Sequence, residues 1–188
     1  MIFETDVDAN FSGMNGLVDG RPYIVLNKAH TTERKRATIA HELAHLMFKE
    51  SSEFCEAENE KYAMKIAGAF LFPSGDVKRE LGVKRTRLSG VELTRKEYGI
   101  SAALLYVRAF QCDVIAENTY RWGLMQAQLD KGNHIEKETP ELFAQLVCRA
   151  IDEEEIGISK GAELLRMSYR EVCELCSQFT EELCEGVC

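Results

Sequence analysis

At 188 residues the chain is long enough to bury a core as one domain or two small ones, so no stapling disulfide or metal is required for folding. A hydrophobic fraction of 45% with 29% charged residues excludes a fibrous or disordered chain. The net charge of −8 resides at one end: Glu136 to Cys188 holds 13 acidic and 5 basic residues while the rest balances, which argues against the C-terminal third as a surface for the nucleic-acid backbone.

Two further classes are excluded on similar grounds. The longest apolar stretches, Ala63 to Phe72 and Ile100 to Phe110, are too short or too charged to span a bilayer. Met1 to Asn10 carries acid where an export signal carries base, so a cytoplasmic protein is expected. In that compartment the seven cysteines are expected as reduced thiols. The pair Cys173 and Cys176 has C-x-x-C spacing, but it lies inside a helical pattern without a knuckle turn, and helix packing is the simpler reading.

Along the chain, Met1 to Gly20 is polar and punctuated by glycine, and Pro22 to Leu26 is a short β-branched and aromatic run expected as a strand closed by Asn27. Thr31, Thr32 and Glu33 supply an N-cap and a first-turn acid, and the stripe Ile39, Leu43, Leu46, Met47 predicts an amphipathic helix to about Lys49. A second helix starts after Ser51 and Ser52, is clearest at Ala63, Ile66, Ala67, Phe70 and Leu71, and stops at Pro73. The basic stretch from Lys78 and Arg79 to Lys84, Arg85 and Arg87 then leads into a helix, glycine turn and Ser101-capped helix over Val91 to Phe110. Further helices are expected over Asn118 to Leu129, Glu141 to Ile151, Ser159 to Leu165 and Tyr169 to Phe179. The fold class is therefore α+β and mainly α, with a small N-terminal sheet; residues 1–80 form the expected core and residues 81–188 a helical region packed on it.

The chemistry is concentrated in His41-Glu42-Leu43-Ala44-His45, an H-E-x-x-H motif on the first predicted helix. Residues four apart on a helix share a face, so two imidazoles so placed can reach one Zn²⁺, while Glu42 can reach a water on that ion as general base. Four His and 24 Glu supply such a match by chance in roughly one chain of this composition in a hundred, which makes the motif strong evidence without deciding the matter. A third ligand must come from the acids Glu53, Glu56, Glu58 and Glu60. Relative to the apolar face of the second helix, Glu58 falls about 130° away, Glu60 about 70° and Glu56 about 30°, so geometry disfavours Glu58 and leaves the other two open.

On these residues the chain resembles the ImmA/IrrE family of metallopeptidases over nearly its whole length. The matching blocks are Ile24 to Asn27, Glu33 to Arg36 with Thr38 to Ala40, the zinc motif itself, and Glu60-Lys-Tyr-Ala63 running to Phe72-Pro73. The resemblance implies a zincin-like core and assigns Glu60 as third ligand beside His41 and His45. The block from Glu60 also resembles the E-x-x-x-D arrangement of gluzincins, in which an acid one turn later orients a ligating histidine, and here Met64 stands at that place. Leu93 to Arg108 resembles the family's helix-turn-helix-like middle segment. The implied activity is site-specific cleavage of a helix-turn-helix transcriptional repressor, with a protein as partner and neither membrane nor direct nucleic-acid binding expected.

Two other classes stand beside this one. A DNA-binding regulator with a vestigial site would use the hairpins Leu93 to Arg108 and Ile158 to Cys176, yet neither carries a strongly basic recognition helix. A non-catalytic interaction partner with structural zinc would have no use for Glu42, and structural sites are usually closed by Cys and His. His30 and His134 read as surface or capping residues, Tyr62, Tyr98, Tyr106 and Tyr120 as aromatics at the core edge, and Trp122 with Leu124 as packing.

Overall fold

A computed structural model describes residues 1–8, 10–48, 55–84, 88, 90–130, 135, 136, 138 and 141–185, with the backbone alone for 179–185. Among them lie three strands, β1 (Ile2–Thr5), β2 (Gly13–Val18) and β3 (Arg21–Asn27). Nine helices follow: α1 (Thr32–Met47), α2 (Glu56–Leu71), α3 (Ser74–Leu81), α4 (Val91–Tyr98), α5 (Ala102–Gln111), α6 (Glu117–Leu129), α7 (Leu142–Asp152), α8 (Ile158–Leu165) and α9 (Tyr169–Glu185). The fold is α+β and mainly helical with a small N-terminal sheet, as composition and periodicity predict. No helix among the described residues is long and apolar enough to cross a membrane.

The chain divides into two compact units, Glu4–Glu138 and Met1–Phe3 with Thr139–Cys188. The sheet order is β1-β3-β2, so β2 is an edge strand. It pairs antiparallel with β3 from Gly13 opposite Leu26 to Val18 opposite Arg21, across the two-residue turn Asp19-Gly20. Both turn residues have positive φ, 50° and 75°, the requirement of a type I′ hairpin, which Asp-Gly meets at low cost. Neither β1 nor β2 is evident from the sequence pattern, because four residues are too few for alternation and two glycines with an asparagine weaken β2 as a strand signal.

Asn27 explains why β3 ends where it does. Fully buried, its Nδ2 donates to the carbonyls of Asp8 (2.9 Å) and Phe11 (3.0 Å), and its Oδ1 accepts from Ala29 N (3.0 Å). One amide thus ties the loop before β2 to the turn before α1. Thr31 caps α1 by accepting from Arg34 N. The buried face of α1 differs from the expected stripe: Met47 is exposed and Ile39, Leu43 and Leu46 are half-buried, while Ala40, Ala44, Thr38, Glu42 and the pair Lys35–Glu4 (2.7 Å) are buried. Small and polar residues face the sheet because β2 and β3 press closely on this helix.

The apolar core of this unit lies further along, in Phe72, Val77, Leu81, Ile100, Leu105, Tyr106, Ala109, Val114 and Ile115. Val77 and Leu81 belong to α3, a helix where sequence reading expects a basic stretch alone. Pro73 ends α2 and is also the N-cap of α3, so one proline marks two boundaries. Arg108 of α5 is buried and donates from Nε to the Phe72 carbonyl (3.0 Å) just past the end of α2, where a cation suits the helix dipole. Of the basic cluster, Lys84 is exposed, and Arg85 and Arg87 lie outside the described residues.

In the smaller unit α7, α8 and α9 pack together around Val147, Cys148 and Val172, and Gly161 permits Ile151 to approach. Cys148 and Cys176 form a disulfide with Cα atoms 5.1 Å apart, contrary to the expectation of reduced thiols throughout. A separation of 28 residues, with α8 between the two cysteine-bearing helices, leaves no local spacing by which to foresee it.

Candidate metal centre

Helix α1 carries both histidines on one face, and α2 packs alongside it. His41 Nε2 and His45 Nε2 stand 3.1 Å apart with their rings edge to face. From α2, Glu60 brings Oε2 to 3.2 Å from His41 Nε2 and Oε1 to 3.3 Å from His45 Nε2. These three residues are the group of potential metal ligands found among the described residues. Glu58 is engaged elsewhere, accepting the backbone N–H of Cys55 (3.1 Å) at the start of α2. Glu56 is exposed, and Glu53 lies outside the described residues.

The donor set passes a simple test of fit. Four-coordinate tetrahedral zinc with bonds of about 2.0–2.1 Å needs ligand atoms roughly 3.3 Å apart, and the separations here are 3.1–3.3 Å. Two imidazole nitrogens facing one another so closely need a shared proton or a common cation between them. Two nitrogens and a carboxylate form a set suited to a borderline divalent metal. The three residues present thus fit a divalent metal ion.

Glu42 points from the same helix into the same pocket, a cavity of about 720 Å³ lined by Gly13, Met14, Asn15, His41, Glu42, His45 and Glu60. It is 9% exposed, and its Oε2 accepts from Asn15 Nδ2 at 2.6 Å. Sequence reading does not find Asn15, Gly13 or Met14; the Asp19-Gly20 hairpin, which fixes β2 beside α1, is the signal that leads to them. The other flank of the histidines differs. His41 Nδ1 is buried and meets no hydrogen-bond partner among the described residues, and Met64, one turn beyond Glu60, is 61% exposed.

The other described aromatic and histidine candidates do not line this pocket. Tyr98 packs on Phe72, Tyr106 meets Trp122 edge-on and Tyr120 stacks on Phe110, while Tyr62 is largely exposed. His30 is half-buried before α1, and His134 lies outside the described residues. Cys176 is engaged with Cys148, which leaves Cys173 without its C-x-x-C neighbour as a thiol. The α4–α5 and α8–α9 segments are helical hairpins turned at Gly99 and Arg166, both in the left-handed region. Cys188 lies outside the described residues, as does the side chain of Cys184.

Residues 1–110 match the model of the IrrE N-terminal-like domain, a peptidase family, and the match spans more than half of the chain. The chain belongs to this family, whose members are typically metal-dependent. Comparison with curated proteins and with solved structures returns no match.

Proposed function

We propose that this member of the IrrE N-terminal-like peptidase family is a zinc-dependent endopeptidase that cuts a helix-turn-helix transcriptional repressor at a specific site. His41, His45 and Glu60 hold the metal in this reading, and Glu42 is the general base. The observation that carries it is the convergence of the two imidazole Nε2 atoms and the Glu60 carboxylate beside the Glu42 carboxylate in one open pocket.

When bound, zinc supplies a Lewis acid that polarises an amide carbonyl and acidifies water. Glu42 takes the proton of the attacking water on a carboxylate oxygen and returns it to the departing amine. Its burial beside a hydrogen-bond donor keeps that carboxylate oriented toward the pocket instead of free in solvent. Along the wall, β2 is an edge strand, and an extended peptide can add to such an edge through main-chain hydrogen bonds. A folded helix cannot, which favours a locally unfolded segment of a protein substrate. The acidic character of residues 136–188 disfavours DNA and complements a basic, DNA-binding partner.

The rival reading of structural zinc is weaker on the same geometry, since three protein ligands among the described residues leave a coordination position open and structural sites close it. The decisive experiment incubates wild type and Glu42→Gln with the helix-turn-helix repressor encoded beside the gene and examines the products by mass spectrometry. Wild type is expected to give a discrete fragment, and Glu42→Gln to keep one zinc per chain while cutting at least about a hundredfold more slowly. His45→Ala is expected to lose most of the metal. Equal cutting by the Gln variant overturns the reading.

A further inference from the structure

The geometry points to Asn15 as the positioning residue of this site, an amide clamp that fixes the orientation of the Glu42 carboxylate. The inference rests on the proposed role of Glu42 as base, but the contact itself can be tested without it. Asn15 Nδ2 donates to Glu42 Oε2 at 2.6 Å, and both residues line the pocket. An ionised carboxylate offers acceptors alone, so the amide must present its NH₂ to it. The last torsion of a glutamate is broad and nearly two-fold, and only a directed contact of this kind selects one setting. With Oε2 held by the strand, Oε1 is the oxygen left for the pocket.

A second observation shows that the contact is built into the packing of β2 on α1. Gly13 and Asn15 share a face of β2, and Thr38 and Glu42 are one turn apart on α1. Two strand residues advance about 6.8 Å and four helix residues about 6 Å, so the two steps stay nearly in phase. At the first contact a Cβ on Gly13 would stand 2.5 Å from Thr38 Cγ2 and 3.0 Å from the Val25 carbonyl oxygen. Glycine is therefore what lets the strand lie deep enough for the short Asn15 side chain to reach Glu42 at the second contact. A longer amide from a shallower strand would have more rotamers and hold the carboxylate less firmly.

The test is a double-mutant cycle on the full-length protein, read by thermal melting. Asn15→Asp sets two carboxylates against each other and is expected to lower the melting temperature by about 5 °C. Glu42→Gln in that background restores a donor–acceptor pair with the roles reversed, and most of the loss is expected to return. Strictly additive shifts overturn the clamp. The functional arm uses Asn15→Ala and the neighbouring repressor with enzyme in excess. Cleavage is expected to slow about 30-fold while the half-saturating enzyme concentration stays within twofold and the zinc content is unchanged. Loss of zinc, or a change confined to half-saturation, overturns a positioning role. A non-additive cycle with a wild type that cuts nothing supports the clamp and overturns the peptidase reading.

Discussion

Glu60 is over half exposed, yet its two carboxylate oxygens each face a different imidazole, whereas Glu56 on the preceding turn reaches neither. Removing Glu60 takes away a ligand, and removing Glu56 takes away a solvated charge. Glu60→Ala is accordingly expected to lower zinc occupancy well below that of Glu56→Ala after dialysis against a weak chelator, and the reverse order would show that the wrong carboxylate has been chosen. His41 offers a test in the opposite direction. Its buried Nδ1 has no partner among the described residues, and Met64 occupies the place where the gluzincin-like E-x-x-x-D arrangement has an orienting acid. If that acid acts on His41, Met64→Asp should tighten zinc binding about tenfold in competition with a chromophoric chelator, and an unchanged affinity would show that the ring is already held well enough. At this scale the sequence reveals the His41–Glu42–His45 geometry by spacing, because a helix fixes which residues share a face. It does not separate Glu56 from Glu60, because that choice depends on how α2 turns against α1. Asn15 is hidden more deeply, since it meets Glu42 only through the packing of β2 on α1, across 27 residues of sequence.

Elements come forward or stay hidden according to how much of their signal is local. Thr31, Gly99 and Ser101 announce their helix boundaries by cap chemistry, whereas α3 is masked by its own brevity and surface charge and declares itself only through Val77 and Leu81. The turn at Gly99 also serves the larger unit. Its φ is 64°, and a Cβ there would overlap the Arg36 guanidinium, which itself donates to both oxygens of Glu138 (2.9 and 2.6 Å). Gly99→Ala should therefore cost about 2 kcal/mol in urea unfolding, combining left-handed strain with displacement of Arg36. A cost near zero would mean that the guanidinium moves freely. The Arg36 pair has its own signature in pH. The hydrogen bond from Arg36 holds the Glu138 carboxyl below its ordinary value, so its stabilisation is present above the unfolded carboxylate pKa and fades as pH falls through the folded one. The stability difference between wild type and Glu138→Gln is thus expected at pH 7 and should vanish in strong acid; because Glu138 is half exposed, high salt should shrink it as well.

For the whole molecule, the division into two units separates the chemistry from the covalent cross-link. Every residue lining the pocket falls within Glu4–Glu138, and both cysteines of the disulfide fall within Thr139–Cys188. The cross-link joins α7 to α9 across 28 residues, a loop for which chain-entropy arguments give about 3.6 kcal/mol of stabilisation through the unfolded state. Its other supports are a few buried side chains, among them Val147 and Val172, and exposed ion pairs such as Arg149–Glu153 and Arg170–Glu174, which contribute little. The smaller unit should therefore depend on the disulfide more than the site does. Reduction, or Cys148→Ser, is expected to destabilise the helices of residues 142–185, seen as earlier loss of helical ellipticity and faster amide exchange confined to that span. Zinc content and the exchange protection of α1 should stay as in the oxidised protein, because among the described residues no candidate metal donor or pocket residue belongs to the unit that loosens. Should reduction release the metal together with the helices, the site would depend on the smaller unit in a way that its own residues do not display, and the separation of chemistry from cross-link would have to be abandoned.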